Sequence, residues 1–253
     1  MLKSKDIGGV VAPDVFKVGV ALGKYPGWRR FRKFGMNDVV VNNDTQEMWP
    51  IGTPRVLPTA AAVASVTSSS ANDTAAGSGM RTMMVQGLDA DYNEVEEEIT
   101  LNGTSAVTTT QTFLRINRMY GTSAGATEWN EGNITATVGG NAQAYIEDLE
   151  GQTHQTGYTV PAGHTLLVDS FVIRTGRMAG SNDLHVLSYV KPPGENKCWR
   201  ALSDLYIWQG AHRSDHDVNL IPEKWDIKQV IRSSTTTQCT GVYSGYLVEN
   251  SML

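Results

Sequence analysis

Histidines, cysteines and clustered carboxylates are the residues of this chain whose spacing could do chemistry. His212 and His216 stand four apart with Asp217 following, a spacing that seats two metal ligands on one helical face. Gly210 and the strand-like residues around it argue against a helix there. With no evident third or fourth ligand, the segment reads as an exposed polar loop, and no metal is expected. His154 and His164 lie beside turn signals at strand ends and read as solvated. Glu94, Glu96 and Glu98, and the acids at Glu147, Asp148 and Glu150, offer the paired carboxylates of a glycosidase. Alternating acids on the wet face of a strand explain the first group without catalysis. Neither Cys198 nor Cys239 sits in a nucleophile signature, and no Gly-x-Ser-x-Gly elbow occurs. Gly77-Ser-Gly79 leads into a strand, not into the helix N-terminus that phosphate binding uses. The expectation is a non-enzymatic protein without a cofactor.

A binding site is easier to argue than a catalytic one. Lys24, Arg29, Arg30, Arg32 and Lys33 are interleaved with Tyr25, Trp28 and Phe31 in one ten-residue run. Cations neutralise phosphate and aromatics stack on bases, so nucleic acid is one partner such a run could take. A protein contact with aromatic anchors and an arginine rim is the other. Residues 1–54 hold eight Lys and Arg against five Asp and Glu, a net of +3, whereas the remainder carries −8. One short patch beside an acidic body is a weak nucleic-acid footprint, which favours protein contact. Trp28, Arg29, Arg30 and Phe31 are then the expected hot spots.

The elements that must hold this run are strands. Residues 1–54 lack sustained periodicity, are broken by Gly and Pro, and read as an extended N-terminal arm. A body over residues 55–250 follows. Its clearest element is a hairpin over Arg81–Leu101: the apolar run Met83, Met84, Val85 and Leu88, turn chemistry at Asp89–Asn93, then period-two residues Val95, Ile99 and Leu101. Glu94, Glu96 and Glu98 fall on the opposite, wet face. Further strands are expected over 59–70, over 106–120 as one long strand, and over 133–138 closed by Gly139-Gly140. Later ones are expected over 156–160, 165–174, 184–190, 199–208, 225–232 and 241–248. Strands recurring every ten to fifteen residues with turns between them predict an all-β, antiparallel β-sandwich or jelly-roll-like body. Two packed halves meeting near Gly139-Gly140 remain an alternative to a single sandwich.

No run of about eighteen apolar residues exists, so no membrane contact is expected. The first residues lack a secretory h-region, and two cysteines far apart predict reduced, mostly buried thiols. Sequons at Asn72, Asn102 and Asn133 then read as coincidence in a composition rich in Asn and Thr.

Several segments resemble a group of virion structural proteins of tailed bacteriophages, particularly marine ones. They are SSSANDTAAGSG (68–79), VQGLDADYNEVEEEITL (85–101), TTQTFLRINRMY (109–120), GNITATVGG (132–140), YTVPAGHT (158–165), IPEKWDI (221–227) and GYLVEN (245–250). The resemblance covers most of residues 55–250 and implies a particle component, assembled in the host cytoplasm, without catalytic residues. It implies, as first expectation, a capsid decoration or cement protein, homo-oligomeric with a trimer favoured, that contacts the major capsid protein or other virion proteins. The alternative is a tail- or fibre-associated adhesin that binds host-surface glycan through Trp129, Trp199 or Trp208. A depolymerase would need a deep acidic cleft, which the sequence does not support.

Overall fold

A computed structural model describes residues 14–41, 44–176, 183–194, 196–207 and 210–253, with the side chains of 14–15 and 213–217 outside the description. The chain is nearly all β. It opens with α1 (Asp14–Ala21), β1 (Trp28–Val40) and β2 (Thr45–Glu47). Next come β3 (Ala62–Ser68), β4 (Met80–Leu88), β5 (Glu94–Thr100), β6 (Val107–Phe113), β7 (Arg115–Ala124), β8 (Ile134–Val138) and β9 (Asn141–Ile146). The last group is β10 (Tyr158–Thr159), β11 (His164–Thr175), β12 (Leu184–Lys191), β13 (Arg200–Ile207), β14 (Ala211–Ile221), β15 (Asp226–Ser233) and β16 (Thr237–Glu249).

These strands form four small antiparallel sheets in a blade-like, propeller-like arrangement, not clearly one jelly-roll sandwich. Sheet A runs β1-β16-β11-β14, and sheet B runs β10-β15-β12-β13 with β2 also on β15. Sheet C runs β6-β3-β8-β9, and sheet D runs β5-β4-β7. Sheets C and D share one apolar core around Met83, Val85, Phe113, Met119, Ile134 and Val138. Sheets A and B share two more clusters, one around Phe31, Phe171 and Tyr243 and one around Val40, Ile173, Ile231 and Cys239. Each such fully buried side chain contributes roughly 1.5–3 kcal/mol relative to exposure. The chain is therefore nested: β3 to β9 form an inserted body between β2 and β10, and the terminal body is built from both ends of the sequence.

The hairpin stands where the sequence places it, with Val85 opposite Glu97 and Met83 opposite Ile99. Glu94, Glu96 and Glu98 are exposed while Ile99 is buried. Glu97 shares the inward row, and its carboxylate accepts the Thr110 and Gln111 backbone N–H groups at 2.8–3.0 Å. The Ser68–Gly79 loop closes on Asp73, fully buried, which accepts from Ser68 Oγ (2.6 Å), Met80 N (2.8 Å) and Glu131 N (2.9 Å).

Five expectations are corrected. Residues 106–120 are two strands, because the chain passes from sheet C to sheet D at Leu114, whose N–H bonds Leu88 O at 2.7 Å. Gly139 and Gly140, at φ 58° and 80°, make the β8–β9 hairpin turn inside the inserted body, not a boundary between halves. Residues 212–216 lie in strand β14, not in a loop; His212 pairs with Ile173, and the side chains of His216 and Asp217 lie outside the description. Cys239 is buried as expected, and burial pushes its thiol up to about 12, but Cys198 is exposed.

The fifth concerns the arm. Residues 1–13 lie outside the description, but β1 pairs with β16 from Trp28–Val248 to Val40–Thr237, and β2 pairs with β15. The inward row of β1 explains why periodicity hid it: Phe31, Lys33, Gly35 and Asn37 are buried, and only the first is apolar. Gly35 faces Gly241 in register. A Cβ on Gly35 would stand 2.5 Å from Met48 O and 2.6 Å from Thr156 N, and one on Gly241 would strike Met48 Sδ. The two connections to the inserted body cross here, joined by Thr156 N–H to Met48 O at 3.1 Å.

Valine at Gly35 or Gly241 is expected to cost about 2–3 kcal/mol through overpacking, read as a lower urea midpoint at unchanged slope. Alanine at Gly163, which has open space and φ 71°, should cost only its backbone strain, about 1 kcal/mol. A thiol-exchange reagent should titrate Cys198 in the folded protein and Cys239 only after unfolding.

Candidate functional site

The basic run lies mostly in β1, the edge strand of sheet A, and alternation sorts its side chains. Arg30 and Arg32 are exposed with Phe34 and Met36 half-buried on the same row. Arg30 stands over the Tyr246 ring at 5.2 Å. Arg29, also exposed, reaches Glu94 on β5 at 2.8 Å and His164 Nε2 at 3.4 Å. Lys24 and Tyr25 precede the strand, both exposed, and the Tyr25 ring packs on Phe16 at 4.9 Å. Trp28 meets Phe16 and Tyr246 edge-on at 5.3 and 5.9 Å. Phe31 is a core residue against Tyr158 (4.7 Å) and Tyr243 (5.6 Å). The surface of the run is thus cationic. Phe31 is not available to a partner as a hot spot, and Trp28 is engaged within the chain.

Beside β1 the two bodies leave a groove with two lobes that share Arg32, Lys33 and Arg118. The first, of about 490 Å3, crosses the outer face of sheet A. Phe34, Met36 and Val242 form its floor, and Arg32, Arg118 and Arg174 stand at its rim, all three exposed. His154 forms part of the opposite wall, its ring 5.0 Å from Phe34 and its Nδ1 3.4 Å from Glu150. It is half-buried rather than solvated, and burial lowers its pKa against the opposing pull of Glu150 and Asp38. The second lobe, of about 600 Å3, runs between Arg29 to Lys33 and the acidic hairpin, with Glu94 and Glu96 in its wall.

Beneath the groove lies a polar seam that holds the bodies together. Lys33 donates its Nζ to Asn117 O. Burial, with Arg55 and Arg118 adding to it, holds that ammonium well below the usual lysine range. Asn117 in turn exchanges two bonds with the Thr159 backbone at 3.0 and 3.1 Å. Arg115 grips Asp226 at 2.9 and 3.3 Å and donates to Pro58 O at 2.7 Å, while Thr159 Oγ1 donates to Asp226 at 2.5 Å. Arg55 meets Glu47 at 2.7 Å, and Lys228 stands 3.6 Å from the same buried carboxylate. Three bases thus share two acids, and Lys33 rests on a backbone carbonyl with no carboxylate in the seam. The ion pairs serve cohesion; the unmatched cations face the groove.

No protein-family model matches the chain, and no curated protein matches it.

Sequence reading finds β1's cations but misses Arg118 and Arg174, which come from β7 and β11 and have no local signature. The buried pair was legible in part: Arg115 interrupts an apolar row next to Phe113 and Leu114, and such a residue needs a partner. Trp129 is 49% exposed, as expected, and a Cβ added to Gly151 would stand 3.6 Å from its ring. Trp199 is half-buried under Lys228, 4.4 Å from its ring, and Trp208 lies outside the described residues. Among the described residues no cluster of His, Cys, Asp and Glu could hold a metal.

Asp226→Ala should destabilise by about 3–5 kcal/mol, because Arg115 would be left charged and buried without its acid. Removing both, with Arg115→Met and Asp226→Leu, should cost less than that single change. Denaturant unfolding of the two singles and the double, treated as a cycle, checks both statements.

Proposed function

We propose that the protein is a non-enzymatic structural component of a tailed-bacteriophage particle, a decoration or cement protein that docks through the basic face of β1. The observation that carries the docking surface is the exposed row Arg30 and Arg32 with its groove, on a chain otherwise acidic outside its first segment. The resemblance over most of residues 55–250 suggests the particle. The shared cores of the paired sheets support two sandwich-like halves in place of one jelly roll. A rigid two-body β protein with a cationic seat suits attachment to a neighbour's acidic surface, and copies arranged by symmetry, as in a trimer, multiply a modest contact. The major capsid protein is the partner this reading names, and the virion its location.

The exposed Trp129 favours one further reading. Its ring borders a shallow site of about 280 Å3 with Thr122, Ser123 and Glu128, a stacking platform with polar groups suited to a glycan. A tail adhesin would use that face instead of β1.

Quantitative mass spectrometry of purified virions separates these. A ratio to the major shell protein near one to one, or one trimer per local threefold axis, supports decoration. Only a few copies per particle would move the protein to the tail. Absence from particles would reject both. Reversing Arg30 and Arg32 to Glu should leave folding intact and reduce particle occupancy about tenfold or more, since like charge then faces the partner.

A further inference from the structure

We infer that the first lobe of the groove seats an extended, acidic segment of a partner protein, with an apolar side chain on Phe34 and Met36 and carboxylates on Arg32, Arg118 and Arg174. The inference rests on the docking reading above and names the chemistry of its partner. Three features carry it.

The first is charge. None of the residues lining this lobe is a carboxylate, while three arginines stand exposed at its rim. A carboxylate in the lobe supplies a counter-charge to these arginines, whose guanidinium groups suit charge-assisted hydrogen bonds.

The second is shape and polarity. An apolar floor under a cationic rim takes an amphiphilic occupant, one side chain buried and its neighbours ionised. A space of about 490 Å3 accommodates a few residues of extended chain, and it continues into the second lobe.

The third is the change of sign along the groove. Glu94 and Glu96 stand in the wall of the second lobe, Glu94 bonded to Arg29 and Glu96 accepting from Gln86 at 2.9 Å. A phosphate backbone carries negative charge uniformly and would meet those acids. A polypeptide changes sign from residue to residue. It can place acids in the first lobe and neutral or basic residues in the second.

The test uses the full chain and a labelled nine-residue peptide that alternates glutamate with phenylalanine at one end and carries two lysines at the other. Anisotropy titration at low salt should give a Kd on the order of 10 μM that weakens as salt rises. Arg118→Glu with Arg174→Glu should weaken binding about tenfold or more at an unchanged melting temperature, because both side chains are exposed. A peptide with glutamine in place of every glutamate should lose binding to a similar extent. The proposal is overturned if the wild-type chain does not bind the peptide, if the variant binds it equally, or if an oligothymidine displaces it with higher affinity. Particle stoichiometry is measured separately: peptide binding by a protein absent from virions would reject the particle and keep the groove, and the converse would reject the groove alone.

Discussion

The structure depends on a crossing that only glycine permits. Where β1 and β16 run side by side, Gly35 and Gly241 face each other and leave a slot over which Met48 and the backbone of Thr156 pass. Both connections to the inserted body use this slot. Every other relation between the bodies follows, since the crossing fixes where the seam forms and therefore where Lys33, Arg115 and Asp226 meet their partners. Side chains of any size at these two positions would separate the sheet from the connections and open the seam.

The seam itself trades stability for orientation. Buried ion pairs gain little over well-packed apolar residues, because desolvation offsets much of their attraction. What they do is reject wrong alignments: a small shift would leave Arg115 or Glu47 charged and alone in a dry place. Cohesion inside and the cationic rim outside thus come from separate side chains set side by side.

How much of this was legible in the sequence depends on how local its cause is. The hairpin at Met80–Thr100 is local: period-two apolar residues, an Asp–Asn turn and wet glutamates all lie within twenty residues, and the register follows. Strand β1 was hidden because its inward row carries a lysine, a glycine and an asparagine, each there for a tertiary reason: a seam, a crossing, a hydrogen bond to Gln46. The break at Leu114 was hidden for a similar reason, since β-branched residues continue across a corner where the chain changes sheets. Of the groove, the sequence showed the cations on one strand. Arg118 and Arg174 join them only because β7 and β11 are brought alongside by sheets they share with distant segments.

The nesting sets an order of events in synthesis. All the strands of sheets C and D have left the ribosome once Ile146 has, so the inserted body can collapse on contacts close in sequence. Strand β1, made before that body, has its partner β16 about two hundred residues downstream. Until β16 is made, its edge stays unpaired beside a finished neighbour, and the Arg29–Glu94 attraction is available to hold it there. Among the described strands, the latest made locks the earliest.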